Sequence, residues 1–142
     1  MGCNIAGAHS IGVSHCSAFT NRLYNFNGTN STDPSLDPNY AKLLKKKCPQ
    51  GTPSNSSTVV FMETKTPLVL DNVYYDEVRA NRGLFTSDAT LLTDPDTDST
   101  VNENSSPNLV KWQKKFAASM IRMGNIAVLT GSQGGVRVNC RV

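Results

Sequence analysis

The chain has 142 residues, a length that fits one domain and excludes a large multidomain enzyme. With 14 Lys+Arg against 11 Asp+Glu its net charge of +3 is too small to argue for nucleic acid, and no apolar stretch reaches the ~18 to 20 residues of a membrane span. Only 18% of residues are charged, below the usual ~25%, whereas Asn, Ser and Thr reach 41 of 142, the mark of an uncharged, loop-rich surface that suits a secreted protein.

In chain order, Cys16, Phe19 and Leu23 fall at i, i+3 and i+7 and predict a helix between Ser14 and Phe26. A polar loop follows from Asn27 to Pro34. Asp37-Pro38 reads as N-cap and first residue of a second helix, with Tyr40, Leu43 and Leu44 on its apolar face and Pro49 as its stop. Lys45-Lys46-Lys47 has no interleaved aromatics and reads as a solvated helix face. After the 51–57 linker, Val59-Val60-Phe61 is a short extended run, Thr66-Pro67 keeps the chain extended, and Asp71-Asn72 caps a helix carrying Tyr74, Tyr75 and Val78. Gly83 suits the left-handed conformation at that helix's end.

Thr86-Ser87-Asp88 opens a short helix ending near Thr93, and Asp94 to Asp98 reads as an acidic turn. The longest pattern runs from Ser106-Pro107 to Gly124-Asn125 and puts Leu109, Trp112, Phe116, Ala117, Met120 and Met123 on one face, expected to be core. The remainder, Ile126 to Val142, is punctuated by glycine and too irregular for a helix. The fold class expected is mainly α, with short helices, long loops and little strand.

Cys3, Cys16, Cys48 and Cys140 form no CxxC pair, which excludes a zinc ribbon or thioredoxin motif and favours structural disulfides. Asn27, Asn30, Asn55 and Asn104 each head an Asn-x-Ser/Thr sequon and are glycosylation candidates. Both features suit an oxidising, secretory compartment. The opening residues lack the charged and apolar regions of a signal peptide.

His9 and His15 are the only histidines, so mechanisms that need several imidazoles are excluded. His9 follows Ala6-Gly7-Ala8, a small-residue run that admits a flat group or another backbone at close range. On composition alone a lone histidine is more often structural than a ligand, and a Ser-Asp pair such as Ser87-Asp88 is more often a helix cap. Cys3, His9, His15 and Cys16 match no zinc spacing.

Gly7-Ala8-His9-Ser10-Ile11-Gly12, with Cys16 beyond, resembles the proximal haem-ligand signature of the secretory (class III) plant peroxidases. Four later runs match that family in order: Thr66-Pro67 to Tyr74-Tyr75; Arg82-Gly83-Leu84-Phe85 with Ser87-Asp88; Phe116-Ala117 to Asn125-Ile126; and Leu129-Thr130-Gly131 to Cys140-Arg141. The resemblance implies that residues 1–142 are the proximal, haem- and calcium-binding part of that peroxidase domain, without its distal half. It implies haem b as cofactor, His9 as axial ligand of the iron, and Asp88 as the partner of His9. It further implies calcium held by Ser10, Glu63, Thr66, Val69 and Asp71, with Ser10 where the family usually has Thr and Glu63 where it usually has Asp. Cys16 and Cys48 match a family disulfide. Cys140 normally pairs with a cysteine of the absent half, which leaves free thiols or a Cys3–Cys140 bridge as alternatives.

What the resemblance implies for function is a peroxidase that reduces hydrogen peroxide and oxidises small phenolic donors, extracellular or in the cell wall, monomeric at full length, with no nucleic acid or membrane partner. The catalytic distal His and Arg have no counterpart in this chain, so it is expected to be inactive alone, with an apolar face exposed beside His9 and Cys140 unpaired. The alternative is a short secreted glycoprotein that binds haem without turnover.

Overall fold

The structure, a computed structural model, describes residues 2–136, 138, 139 and 141. Helix α1, Gly2–Ala6, runs into a 3-10 turn at Gly7–Ser10, and strand β1, Val13–His15, follows. After a second 3-10 turn come α2, Thr20–Tyr24, and α3, Pro38–Lys47. Strand β2, Val59–Phe61, pairs antiparallel with β1 in the register Val13↔Phe61, Ser14↔Val60, His15↔Val59. The helices α4, Val73–Arg79, α5, Thr86–Ala89, α6, Pro95–Asn104, and α7, Leu109–Gly124, complete the order. The architecture is mainly α, with short helices and a single two-stranded ribbon among the described residues.

Local chemistry accounts for the bounds of α3. The Asp37 carboxylate accepts the Tyr40 N–H at 2.8 Å, Pro38 stands in the first turn, and Lys45, Lys46 and Lys47 lie at the negative end of the α3 dipole. Cys16 is bonded to Cys48, which ties the turn before α2 to the end of α3. With 32 residues of sequence separation this bridge is worth about 3.5 to 4 kcal/mol in the chain-entropy account.

Five elements differ from the sequence expectations. The expected 14–26 helix is instead β1, a 3-10 turn and the short α2, because cross-strand pairing of Ser14 with Val60 holds the segment extended. Its stripe still enters the core, with Cys16, Phe19 and Leu23 all at most 2% exposed. The acidic run after Asp94 is the first turn of α6: the Asp94 carboxylate caps Asp96 and Thr97, and Asp96 and Asp98 sit at the positive dipole end. Asn81, at φ 57°, takes the left-handed position after α4 instead of Gly83. On α7, Trp112 and Ser119 are buried, while Leu109, Ala117, Met120 and Met123 are exposed. In α3, likewise, Leu43 faces out while Tyr40, Ala41 and Leu44 face in.

Two apolar clusters result. One joins Cys16, Phe19, Leu23, Tyr40, Leu44 and Leu84 between α2, α3 and the ribbon. The other joins Cys3, Tyr74, Tyr75, Val78, Val101 and Trp112 between α1, α4, α6 and α7.

Candidate functional site

His9 stands at the seam of these clusters. Its ring meets the edge of Tyr74, from the second cluster, at 5.8 Å and that of Phe85, packed on the first, at 5.4 Å. Gly7 makes this placement sterically feasible. A Cβ there would lie 2.7 Å from Trp112 Nε1 and 2.8 Å from the Tyr75 hydroxyl, so only glycine lets the turn that carries His9 press onto α4 and α7.

The His9 Nδ1 lies 2.9 Å from Asp88 Oδ1. Asp88 is 2% exposed and engaged on both oxygens: Oδ1 also accepts the Tyr74 hydroxyl at 2.8 Å, and Oδ2 accepts the Phe85 N–H at 2.8 Å. Gly83 belongs to the same packing, since a Cβ on it would fall 2.5 Å from Asp88 Cβ. Asp88 is therefore both the helix cap and the histidine's partner, two roles that the sequence presents as competing. A carboxylate on Nδ1 makes that nitrogen the donor and leaves Nε2 as the basic one. No hydrogen bond among the described residues engages Nε2, and the side chain is 32% exposed.

Arg22 fixes the loop behind Asp88. It is 1% exposed, pairs with Asp33 Oδ2 at 2.8 Å, and donates through Nη1 to the carbonyls of Gly83, Leu84 and Phe85 at 2.7, 3.1 and 2.9 Å. Burial works against the Asp33 charge, but the Ser35 and Arg22 hydrogen bonds prevail and hold its carboxyl below the usual range. Neither Arg22 nor Tyr74 is legible as a site residue in the sequence. Arg22 sits between buried Phe19 and Leu23, the single hint that it points inward.

The family model described as Peroxidase matches residues 4–106. The chain belongs to the peroxidase family. Its relatives include Peroxidase 5 of Vitis vinifera, 54% identical over 97% of this chain and 41% of that protein. Peroxidase 3 of Arabidopsis thaliana is 47% identical over 97% of this chain and 42% of its own length, and Peroxidase C2 of Armoracia rusticana 38% identical over 97% and 40%. The chain thus spans about two-fifths of the length of these plant peroxidases.

Within this peroxidase chain the five residues expected at calcium come from two segments. The β1–β2 pairing, extended by the Met62 N–H to Gly12 carbonyl bond at 3.2 Å, brings the chain after Ser10 beside the start of the 63–71 loop. Glu63 is 1% exposed; its carboxylate accepts the Lys65 N–H, the Thr66 N–H at 2.7 Å and the Thr66 hydroxyl at 3.0 Å. Thr64 and Lys65 lean on buried Glu77 of α4 at 3.0 and 3.1 Å, which holds the loop against that helix. Asp71 accepts the Val73 N–H at 2.9 Å, and Val69 is exposed.

Ser10 Oγ is buried with no hydrogen-bond partner, an orphaned oxygen of the kind a hard cation takes up. Hydroxyl, carbonyl and carboxylate oxygens with no nitrogen or sulfur fit calcium by donor chemistry. Only two of the five are carboxylates, and no group of three or more His, Cys, Asp or Glu gathers for a metal among the described residues.

His15 lies on the exposed face of β1 with Nδ1 3.1 Å from the Ser56 carbonyl. Asn27, Asn30 and Asn55 are exposed. Asn104 is fully buried, its Nδ2 donating to Asn4 Oδ1 at 2.8 Å, so this packing leaves no room for a glycan there. Cys3 is a buried free thiol, and burial raises its pKa. Cys140 lies outside the described residues. Beside His9 in sequence, Ile11 and Val13 are 40% and 50% exposed.

Proposed function

We propose that this chain is the proximal part of an extracellular plant haem peroxidase, with His9 as axial ligand. The observation that supports this reading most is the 2.9 Å contact of His9 Nδ1 with buried Asp88. Haem b, when bound, supplies the iron at which hydrogen peroxide is reduced and small phenolic donors are oxidised. His9 would hold it through Nε2. Asp88 accepts the Nδ1 proton, fixes the tautomer, orients the ring and raises the basicity of Nε2. Phe85 and Tyr74 bracket the ring and limit its rotation.

Ser10, Glu63, Thr66, Val69 and Asp71 would hold calcium and so tie the residue next to His9 to the loop before α4. Glu63, a methylene longer than aspartate, already spends both oxygens on its own loop, which favours a weak site. His15 is held at Ser56 on the exposed ribbon and serves no peroxide chemistry, so this chain by itself turns over no peroxide.

Haemin titration tests the reading. The 142-residue chain is expected to give a red-shifted Soret band that His9→Ala abolishes and added imidazole restores. An unchanged band in His9→Ala, or efficient phenol oxidation by the isolated chain, contradicts it.

A further inference from the structure

We propose that Tyr74 is a positioning and tuning residue for the histidine: by sharing Asp88 Oδ1 with His9 it sets how strongly Asp88 draws on the Nδ1 proton. Asp88 Oδ1 receives two donors, His9 Nδ1 at 2.9 Å and the Tyr74 hydroxyl at 2.8 Å, while Oδ2 is occupied by the Phe85 N–H. Each donor withdraws electron density from the carboxylate. The strength of its bond to His9 therefore depends on how much the phenol takes first.

Tyr74 is 2% exposed, and its hydroxyl makes no hydrogen bond but the one to Asp88 among the described residues. Burial, with the Asp88 charge second, pushes it well above the usual phenol range, so it stays protonated and only donates. Its ring also meets the His9 ring edge-on at an interplanar angle of 90°, so the residue that moderates the carboxylate borders the imidazole as well. Tyr75, next in sequence and equally buried, sends its hydroxyl to the Cys3 and Asn4 carbonyls and accepts from Trp112 Nε1. It is a matched control, a buried phenol lost without any change at Asp88.

What the tuning does to iron rests on the haem reading above, whereas the effect on the His9–Asp88 bond does not. The decisive experiment is proton–nitrogen NMR of the His9 Nδ1–H in the haem-free 142-residue chain. Tyr74→Phe removes the competing donor and is expected to move that proton downfield. Tyr74→3-fluorotyrosine, a stronger donor of nearly the same shape, is expected to move it upfield, and Tyr75→Phe to leave it in place. The fluorinated variant covers the case in which Tyr74→Phe does not fold.

With haemin bound and reduced, the iron–histidine stretching frequency in resonance Raman is expected to rise in Tyr74→Phe and fall in the fluorinated variant. Opposite shifts from the two Tyr74 changes support the proposal. No shift from either, or an equal one from Tyr75→Phe, overturns it. Proton shifts as expected with no iron–histidine band at all support the Tyr74 role and overturn the haem reading instead.

Discussion

The chain around His9 and the chain after Trp112 obey opposite rules. In the first, buried polar groups converge: Arg22 gathers three carbonyls and a carboxylate, Asp88 gathers three donors, and both apolar clusters meet beside them. In the second, apolar side chains lie open, with Ile121, Ile126, Val128 and Leu129 all at least 57% exposed. α7 has the right periodicity for burial along its length, yet of its apolar face only Trp112 is buried and Phe116 half-buried, both against the second cluster. Amphipathic pattern gives a helix a face, and burial follows only where another element covers it.

The largest effect expected is in the polar core. Arg22→Ala strands the Asp33 charge and three carbonyls, and is expected to cost about 3 to 5 kcal/mol in denaturant unfolding, the range for a broken buried ion pair. A loss below 1 kcal/mol would mean that the clamp does not hold the Asp88 loop. Replacing both Cys16 and Cys48 by serine is expected to cost about 3.5 kcal/mol in the same assay through the unfolded-state loop.

Calcium sharpens the comparison further. If Ser10 and the 63–71 loop bind it, calcium at about 100 times its Kd adds about 2.7 kcal/mol, seen as a rise in Tm that a chelator reverses. Ser10→Ala is expected to reduce that rise, and an unchanged response would remove Ser10 from the ligand set.

Alkaline titration probes the phenols. Burial, with the Glu77 charge second, pushes Tyr40 up to about 12, and burial raises Tyr74 and Tyr75 further. Unfolded tyrosines ionise near ~10, so the folded state's advantage is complete below that pH and is lost as pH rises through 10 toward 12. The Tyr40 hydroxyl is buried without a partner, so Tyr40→Phe is expected to be nearly neutral at pH 7 and to shift the alkaline unfolding limb upward. At the far end of the scale, Ile121→Ser on the open face of α7 is expected to change stability by less than about 0.5 kcal/mol. A larger loss would show that α7 is covered in solution.

The sequence made legible what local chemistry decides. Asp37-Pro38 starts α3, Asp71 precedes α4, and Cys16, Phe19 and Leu23 are buried as their spacing requires. The match of the His9, Asp88 and cysteine motifs also led to the family. What stayed hidden depends on contacts between distant segments. β1 exists because Val60 lies opposite Ser14, and α6 because Val101 finds the second cluster, although its first turn reads as a polar run. The Tyr74 and Arg22 bonds reach across 14 and 61 to 63 residues and have no local signature. Asn104 satisfies a sequon but is enclosed by Asn4 and Asn72.

The central claim is that His9, aimed by Asp88, holds the haem iron. Because His9 and His15 are the only histidines, nitrogen hyperfine spectroscopy of the haemin-loaded chain with isotopically labelled histidine tests it most directly. The account predicts coupling to one imidazole nitrogen, retained in His15→Gln and lost in His9→Gln. Coupling that survives in His9→Gln and vanishes in His15→Gln would contradict it.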